Sequence, residues 1–261
     1  MDRFQCAFKS RAGAAKLAIR NRAAHVTTLL ALDTASERMT IALRDGERVV
    51  GRTGPAGAQA SATLIPAILA LLDDAGVPLG RLDAIAFGRG PGAFTGLRTA
   101  CAVAQGLALG AGKPVLAIDN LLAVAEDARD GASSFSVWSL LDARMDQIYA
   151  ADYAFADGRW TTLRAPMLTD PAALATLWHA APPAAVAGDA LAVFGAALAT
   201  GGARRYPEAR LTPAALLALA ERAWRDSAAL DPADALPVYV RDRVALTTRE
   251  RAAARAAKEA R

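Results

Sequence analysis

Two stretches far apart in the chain repeat one plan. LLALDTASERMTIAL begins at Leu29 and WSLLDARMDQIYAAD begins at Trp138. Each opens with a short apolar run that ends in an aspartate, Asp33 in the first and Asp142 in the second. A polar turn comes next, then a second run of strand-like composition. Apolar runs of this length bounded by turn residues read as buried strands. Asp45-Gly46 and Asp157-Gly158 supply the turns of the two hairpins. A chain that restarts its own opening halfway along is built as two related units.

The residues between fill in the units. The spacing predicts a helix over 61–75 stopped by Gly76, a strand over 83–88, and a helix over 95–111 closed by Gly112. A strand at 114–119 and a helix at 120–129 come after these. Beyond the second hairpin lie a helix at 170–180, a strand at 184–188, and helices at 190–200 and 212–225. A mixed sheet that opens in a β-hairpin excludes an all-parallel dinucleotide-binding order. The expected fold class is α/β, with two related halves on the plan of the actin-like ATPase superfamily. Layout predicts fold and leaves activity open. The expected boundaries are 27–119 and 120–245. They are flanked by a basic extension at 1–26, expected to be disordered or a mis-assigned start, and a charged tail at 246–261.

Charge does not point to a nucleic-acid surface. The net charge is +4, but residues 1–25 hold six basic side chains and one acid. The remainder carries 24 basic against 25 acidic residues and is close to neutral. Two cysteines, Cys6 and Cys101, give no disulfide framework and fit a reducing, cytoplasmic setting. No apolar run reads as a membrane span.

GRGPGAFTG, residues 88–96, has the look of a phosphate loop. It fails both standard tests. A Walker loop needs lysine and Ser/Thr after its glycines, and here Leu97 and Arg98 come after Gly96. A dinucleotide fingerprint needs a third glycine at 93, which is alanine. Two readings stay open: a tight strand-to-helix turn, or a backbone nest for an anion. The candidate anion contacts are Asp33, Thr34, Gly90, Gly92 and Asp142. The turn after Asp33 lacks a glycine for close phosphate approach, which favours an aspartate bonded to its own turn. His25 and His179 are the only histidines, so neither a paired-histidine metal site nor a serine-hydrolase triad is on offer. No metal, cofactor or catalytic residue is expected.

The helices at 61–75 and 95–111 are apolar nearly all round. A surface helix should show one apolar stripe. Gly106 and Gly110 are costly inside a helix and suit the close approach of another backbone. The expected outcome is helix-on-helix pairing with a partner, since monomers rarely expose such faces. Candidate contacts are Leu64, Ile65, Ile68, Leu72, Leu97, Arg98, Cys101, Ala104, Gln105 and Ala108.

LLALDTASERMTIAL, AFGRGPGAFTGLRTACAVAQGLALG, LLDARMDQIYAADY and LPVYVRDRVALTTRER together resemble the bacterial TsaB (YeaZ) family. The resemblance covers about Leu29 to Glu250. It implies the actin-like fold in a non-catalytic scaffold subunit, active in making threonylcarbamoyladenosine at position 37 of tRNAs reading codons that start with A. It further implies pairing with the metal-bearing transferase subunit TsaD through the first two helices, with the ATPase TsaE joining that pair. A homodimer through the same face is expected when the subunit is alone, and tRNA is met indirectly. The chain departs from the family in having Gln59-Ala60-Ser61 where relatives often place a histidine. A kinase-like ATPase using Asp33 and Asp142 is the competing reading. A metallopeptidase is a weaker one for want of ligands.

Overall fold

The computed structural model describes residues 27–241. The expectations for residues 1–26 and for the tail from 246 lie outside the described residues. The first five strands form one sheet in the order β3-β2-β1-β4-β5: β1 is Thr28–Asp33, β2 Arg38–Asp45, β3 Arg48–Pro55, β4 Ala84–Gly90 and β5 Val115–Asp119. β1 pairs antiparallel with β2 and parallel with β4, so the sheet is mixed. The second sheet has the order β10-β9-β6-β7-β8: β6 is Phe135–Arg144, β7 Gln147–Ala156, β8 Arg159–Thr169, β9 Ala185–Ala187 and β10 Arg204–Tyr206. The two orders match strand for strand, with β6 in the place of β1 and β9 in the place of β4. This is the actin-like ATPase arrangement expected from the repeat.

Among the described residues six α-helices cover the sheets: α1 (Ala58–Ala75), α2 (Phe94–Ala111), α3 (Asn120–Arg129), α4 (Pro171–Ala180), α5 (Ala190–Phe194) and α6 (Pro213–Arg225). Their ends obey local chemistry. Gly76 and Gly112 close α1 and α2 in the left-handed conformation. Asp119, Asp170 and Thr212 cap the N-termini of α3, α4 and α6 by accepting from backbone N–H groups. Pro171 and Pro213 sit in the first turns, where no N–H is missed.

Period-2 alternation assigns the layers. Leu30, Leu32, Ile41, Leu43, Ile85 and Phe87 pack on α1 and α2. The alternate residues Leu29, Ala31, Ala84 and Ala86 pack on α6. In the second sheet, Val137, Ala151 and Tyr153 meet α3, while Trp138, Leu140 and Ile148 meet α4 and α5. The layer order is therefore α1/α2, first sheet, α3/α6, second sheet, α4/α5.

Two expectations need correction. Residues 211–230 do not stay with the second half. Leu216, Leu217, Leu219 and Ala220 of α6 are buried on the first sheet, and Leu230 bridges back to Val115 of β5. The first sheet has a second apolar face, and α6 is the amphipathic element that covers it. The helix expected over 190–200 also breaks. It ends at Phe194 and passes through a single 3-10 turn at Gly195–Ala197. The three-residue strand β10 was not legible, because Arg204-Arg205-Tyr206 carries no alternation.

Candidate functional site

Two features come from this arrangement: a cleft between the halves and an outer helical face on the first half. The cleft encloses about 380 Å³ and is lined in part by Glu37, Arg38, Asn120, Asp142, Asp189 and Arg210. The strand-end aspartates sit beside it, as the repeat requires.

Asp33 is fully buried and commits both oxygens to its own chain. Oδ2 accepts from the Ala35 and Ser36 N–H groups at 3.2 and 3.0 Å and from Ser36 Oγ at 2.7 Å. Oδ1 accepts from Asn120 Nδ2 at 3.2 Å. Burial pushes this carboxyl above its ordinary range, against the pull of those donors. Thr34 is also buried and donates to the Gly96 carbonyl at 2.7 Å. Gly90 N–H donates to Asn120 Oδ1, and Ala93 N–H donates to the Ala35 carbonyl. Gly92 and Gly96 lie where the Thr34–Ala35 backbone passes. A Cβ on Gly92 would fall 2.6 Å from the Ala35 carbonyl oxygen, and one on Gly96 would collide with the Thr34 carbonyl. The glycines of GRGPGAFTG thus bring β1's exit turn onto the start of α2. The Gly90 and Ala93 donors of this loop are engaged within the chain.

Asp142 differs. Its Oδ1 accepts from Arg144 N–H at 2.8 Å, and its Oδ2 meets the Arg144 guanidinium at 3.0 Å. Its own N–H donates to Asp189 Oδ1 at 2.9 Å. Burial pushes Asp189 upward, and the nearby Glu37 and Asp142 push the same way. Asp189 and Asn120 were missed from sequence. Asp189 had a signal, since it succeeds the strand-end Gly188 as the GRGPG loop succeeds β4. Asn120 had none.

Among the described residues no group of three or more His, Cys, Asp or Glu side chains could hold a metal ion. His179 stands alone at the end of α4. The described residues offer no ligand set for the metal of a transferase subunit. Among the described residues, no helix is long and apolar enough to cross a membrane.

The helical face requires the largest correction. Leu64, Ile68, Leu72, Cys101, Ala104 and Ala108 are buried within the monomer, on the side of α1 and α2 that packs on the sheet, and Leu97 is buried beside Gly90 at the cleft. They hold the fold and cannot meet a partner. An arginine at Ala104 would enter this core. Of the expected contacts, Ile65 and Arg98 face outward, and Gln105 is half-buried with its amide donating to the Pro232 and Ala235 carbonyls. Helices this rich in alanine give no polar back by which to tell the inner stripe from the outer one. The outer stripe consists of Ile65 and Leu69 on α1 and Ala102, Gly106 and Leu109 on α2. Leu69 and Leu109 are 52% and 63% exposed, and a Cβ on Gly106 or Gly110 would meet open space. Beside them Arg98 stacks on Phe94, 3.9 Å from the ring centroid.

Known proteins share this architecture. A family model described as TsaD: tRNA N6-adenosine threonylcarbamoyltransferase matches residues 55–210. The tRNA threonylcarbamoyladenosine biosynthesis protein TsaB of Haemophilus influenzae is 41% identical over 47% of this chain and 52% of its own length. Escherichia coli TsaB is 35% identical over 48% of this chain and 54% of its own. The chain spans about half the length of these curated relatives. An uncharacterised Mycobacterium tuberculosis protein is 33% identical over 83% of this chain and 92% of its own. The solved structure of YeaZ from Pseudomonas aeruginosa superposes with a TM-score of 0.74 at 35% identity, covering 82% of this chain and 99% of that one. With its two matched halves and its glycine-tied helix α2, the chain belongs to the TsaB (YeaZ) family.

Proposed function

We propose that this protein is a non-catalytic scaffold subunit in the biosynthesis of threonylcarbamoyladenosine at position 37 of tRNA. It pairs with the TsaD-type transferase through the outer faces of α1 and α2 and holds that subunit in its active form. The TsaE-type ATPase joins through the pair, and tRNA is met indirectly. Without its partner the same face forms a homodimer. It works in the cytoplasm and uses no cofactor of its own.

One observation carries the reading. Ile65, Leu69 and Leu109 stand exposed around two glycines that face open space. Such a stripe lets a second helix backbone approach closely and bury the leucines. The cleft supports the scaffold role because Asp33, the best acid for phosphate chemistry, is spent on its own turn.

The test is co-expression with the TsaD-type subunit of the same organism. Gly106→Arg should abolish co-purification while leaving thermal unfolding within ~2 °C of wild type, since Gly106 touches nothing and arginine favours helix over glycine. Retained pairing in a folded Gly106→Arg protein would defeat this docking face.

A further inference from the structure

The described chain ends on a segment, Leu236–Arg241, that belongs to no helix or strand. Val238, Tyr239 and Arg241 line the cleft. The segment is fastened on both sides of it. On the first half, the Val238 N–H donates to the Arg89 carbonyl of β4 at 2.7 Å. The Tyr239 ring packs on Phe94 with centroids 5.1 Å apart, and its hydroxyl accepts from Arg98 Nε at 3.1 Å. On the second half, the Arg241 guanidinium donates to the Ala143 and Arg144 carbonyls of the β6–β7 turn, at 2.8 and 3.4 Å.

The run-up is anchored too. Cys101 Sγ donates to the Ala235 carbonyl, and the Gln105 amide donates to those of Pro232 and Ala235. Gly90 is fitted to the segment: its φ of 119° disfavours a side chain, and a Cβ there would fall 2.7 Å from the Val238 carbonyl oxygen. The Arg241 bonds reach the end of β6, where Arg144, Met145 and Asp146 all have positive φ.

We propose that Leu236–Arg241 is an intramolecular tie that fixes the angle between the two halves across the cleft, independently of any ligand in it. The covalent link and the α3/α6 layer hold the back of the molecule. The tie holds the mouth. Its second-half anchor is a charge-assisted pair of bonds from one guanidinium. Arg241 is therefore the residue on which the angle depends.

Spin labels at Val49→Cys in β3 and Val193→Cys in α5 report the angle, one on each half and both at exposed positions. Cys6 is replaced by alanine throughout, and the buried anchor Cys101 is kept. Three chains are compared by pulsed electron-spin distance measurement: the full chain, one ending at Arg241 and one ending at Ala235. The full chain and the chain ending at Arg241 should give the same narrow distance distribution. The chain ending at Ala235 should give a broadened or displaced one. The same narrow distribution in all three chains overturns the tie. So does broadening in the chain ending at Arg241, which would assign the restraint to the tail. If the shortest chain does not fold, Arg241→Ala in the full chain decides. It should broaden the distribution and speed amide exchange in the β6–β7 turn about tenfold, as loss of a charge-assisted bond implies. No change in either readout overturns the proposal.

Discussion

Asp33 and Asp142 occupy the same place in two matched sheets, each at the C-terminal end of the strand that opens its half. One is wholly buried and bonded to its own turn and to Asn120. The other stands at the cleft edge, answered by the exposed Arg144. The difference comes from the loop that leaves the parallel neighbour strand. In the first half, β4 runs into GRGPGAFTG, whose glycines let the next helix close over the Asp33 turn. In the second half, β9 runs into Gly188-Asp189, and a carboxylate takes the place of that helix start, accepting the Asp142 N–H. Topological symmetry fixes where an acid stands. The loop beside it decides whether the acid is shut away in its own turn or lines the cleft.

The largest test of that contrast bears on a need the halves share. Both require a glycine where a strand-end backbone passes. A Cβ at Gly96 would collide with the Thr34 carbonyl, and one at Gly188, whose φ is 116°, would collide with the Leu140 carbonyl. Gly96→Ala and Gly188→Ala should each cost about 3 kcal/mol or more in denaturant unfolding, since backbone cannot yield as a side chain can. A cost under ~1 kcal/mol for either would show that the close approach is dispensable.

The next test separates the halves. Asp33→Ala strands two turn N–H groups and the Asn120 amide in a buried site, which should cost roughly 3 kcal/mol. Asp142→Ala removes an ion pair with an exposed arginine and one turn bond, which should cost about 1 kcal/mol or less. Equal costs from chemical denaturation would break the comparison.

A smaller effect sharpens it. Burial raises the Asp33 pKa above its ordinary 3.8, so the folded chain keeps this proton to higher pH than the unfolded chain does. The stability linked to the proton is complete below the unfolded value and is lost as pH rises through the folded one. Asp33→Asn has no such proton. Wild-type stability minus that of Asp33→Asn should therefore fall as pH rises above about 4. A difference that rises or stays flat would contradict a burial-dominated Asp33.

Much of this was legible in the sequence. The strand–aspartate–hairpin repeat revealed the fold, because alternation and turn chemistry act locally. The failed phosphate motifs turned GRGPGAFTG toward a packing role, and Gly92 and Gly96 lie close against Thr34 and Ala35. The hidden parts depended on distant contacts. Nothing in α6 says that its leucines return to the first sheet, and nothing in VYVR says that it crosses the cleft. In α1 and α2, alanine and glycine surround the helix axis, so Leu64 and Ile65 read alike. Only the sheet decides that Leu64 is core and Ile65 is surface.

The central claim is that the first half, through its outer helices, carries the partner. The most direct measurement is the affinity for the TsaD-type subunit of two matched variants, each replacing an exposed leucine by glutamate. Leu69 in α1 is 52% exposed and Leu163 in β8 is 57% exposed. The account predicts that Leu69→Glu weakens binding at least ~100-fold, as placing a charge at an interface core does, and that Leu163→Glu leaves it unchanged. Unweakened binding by a folded Leu69→Glu protein, or equal loss in both, would contradict it.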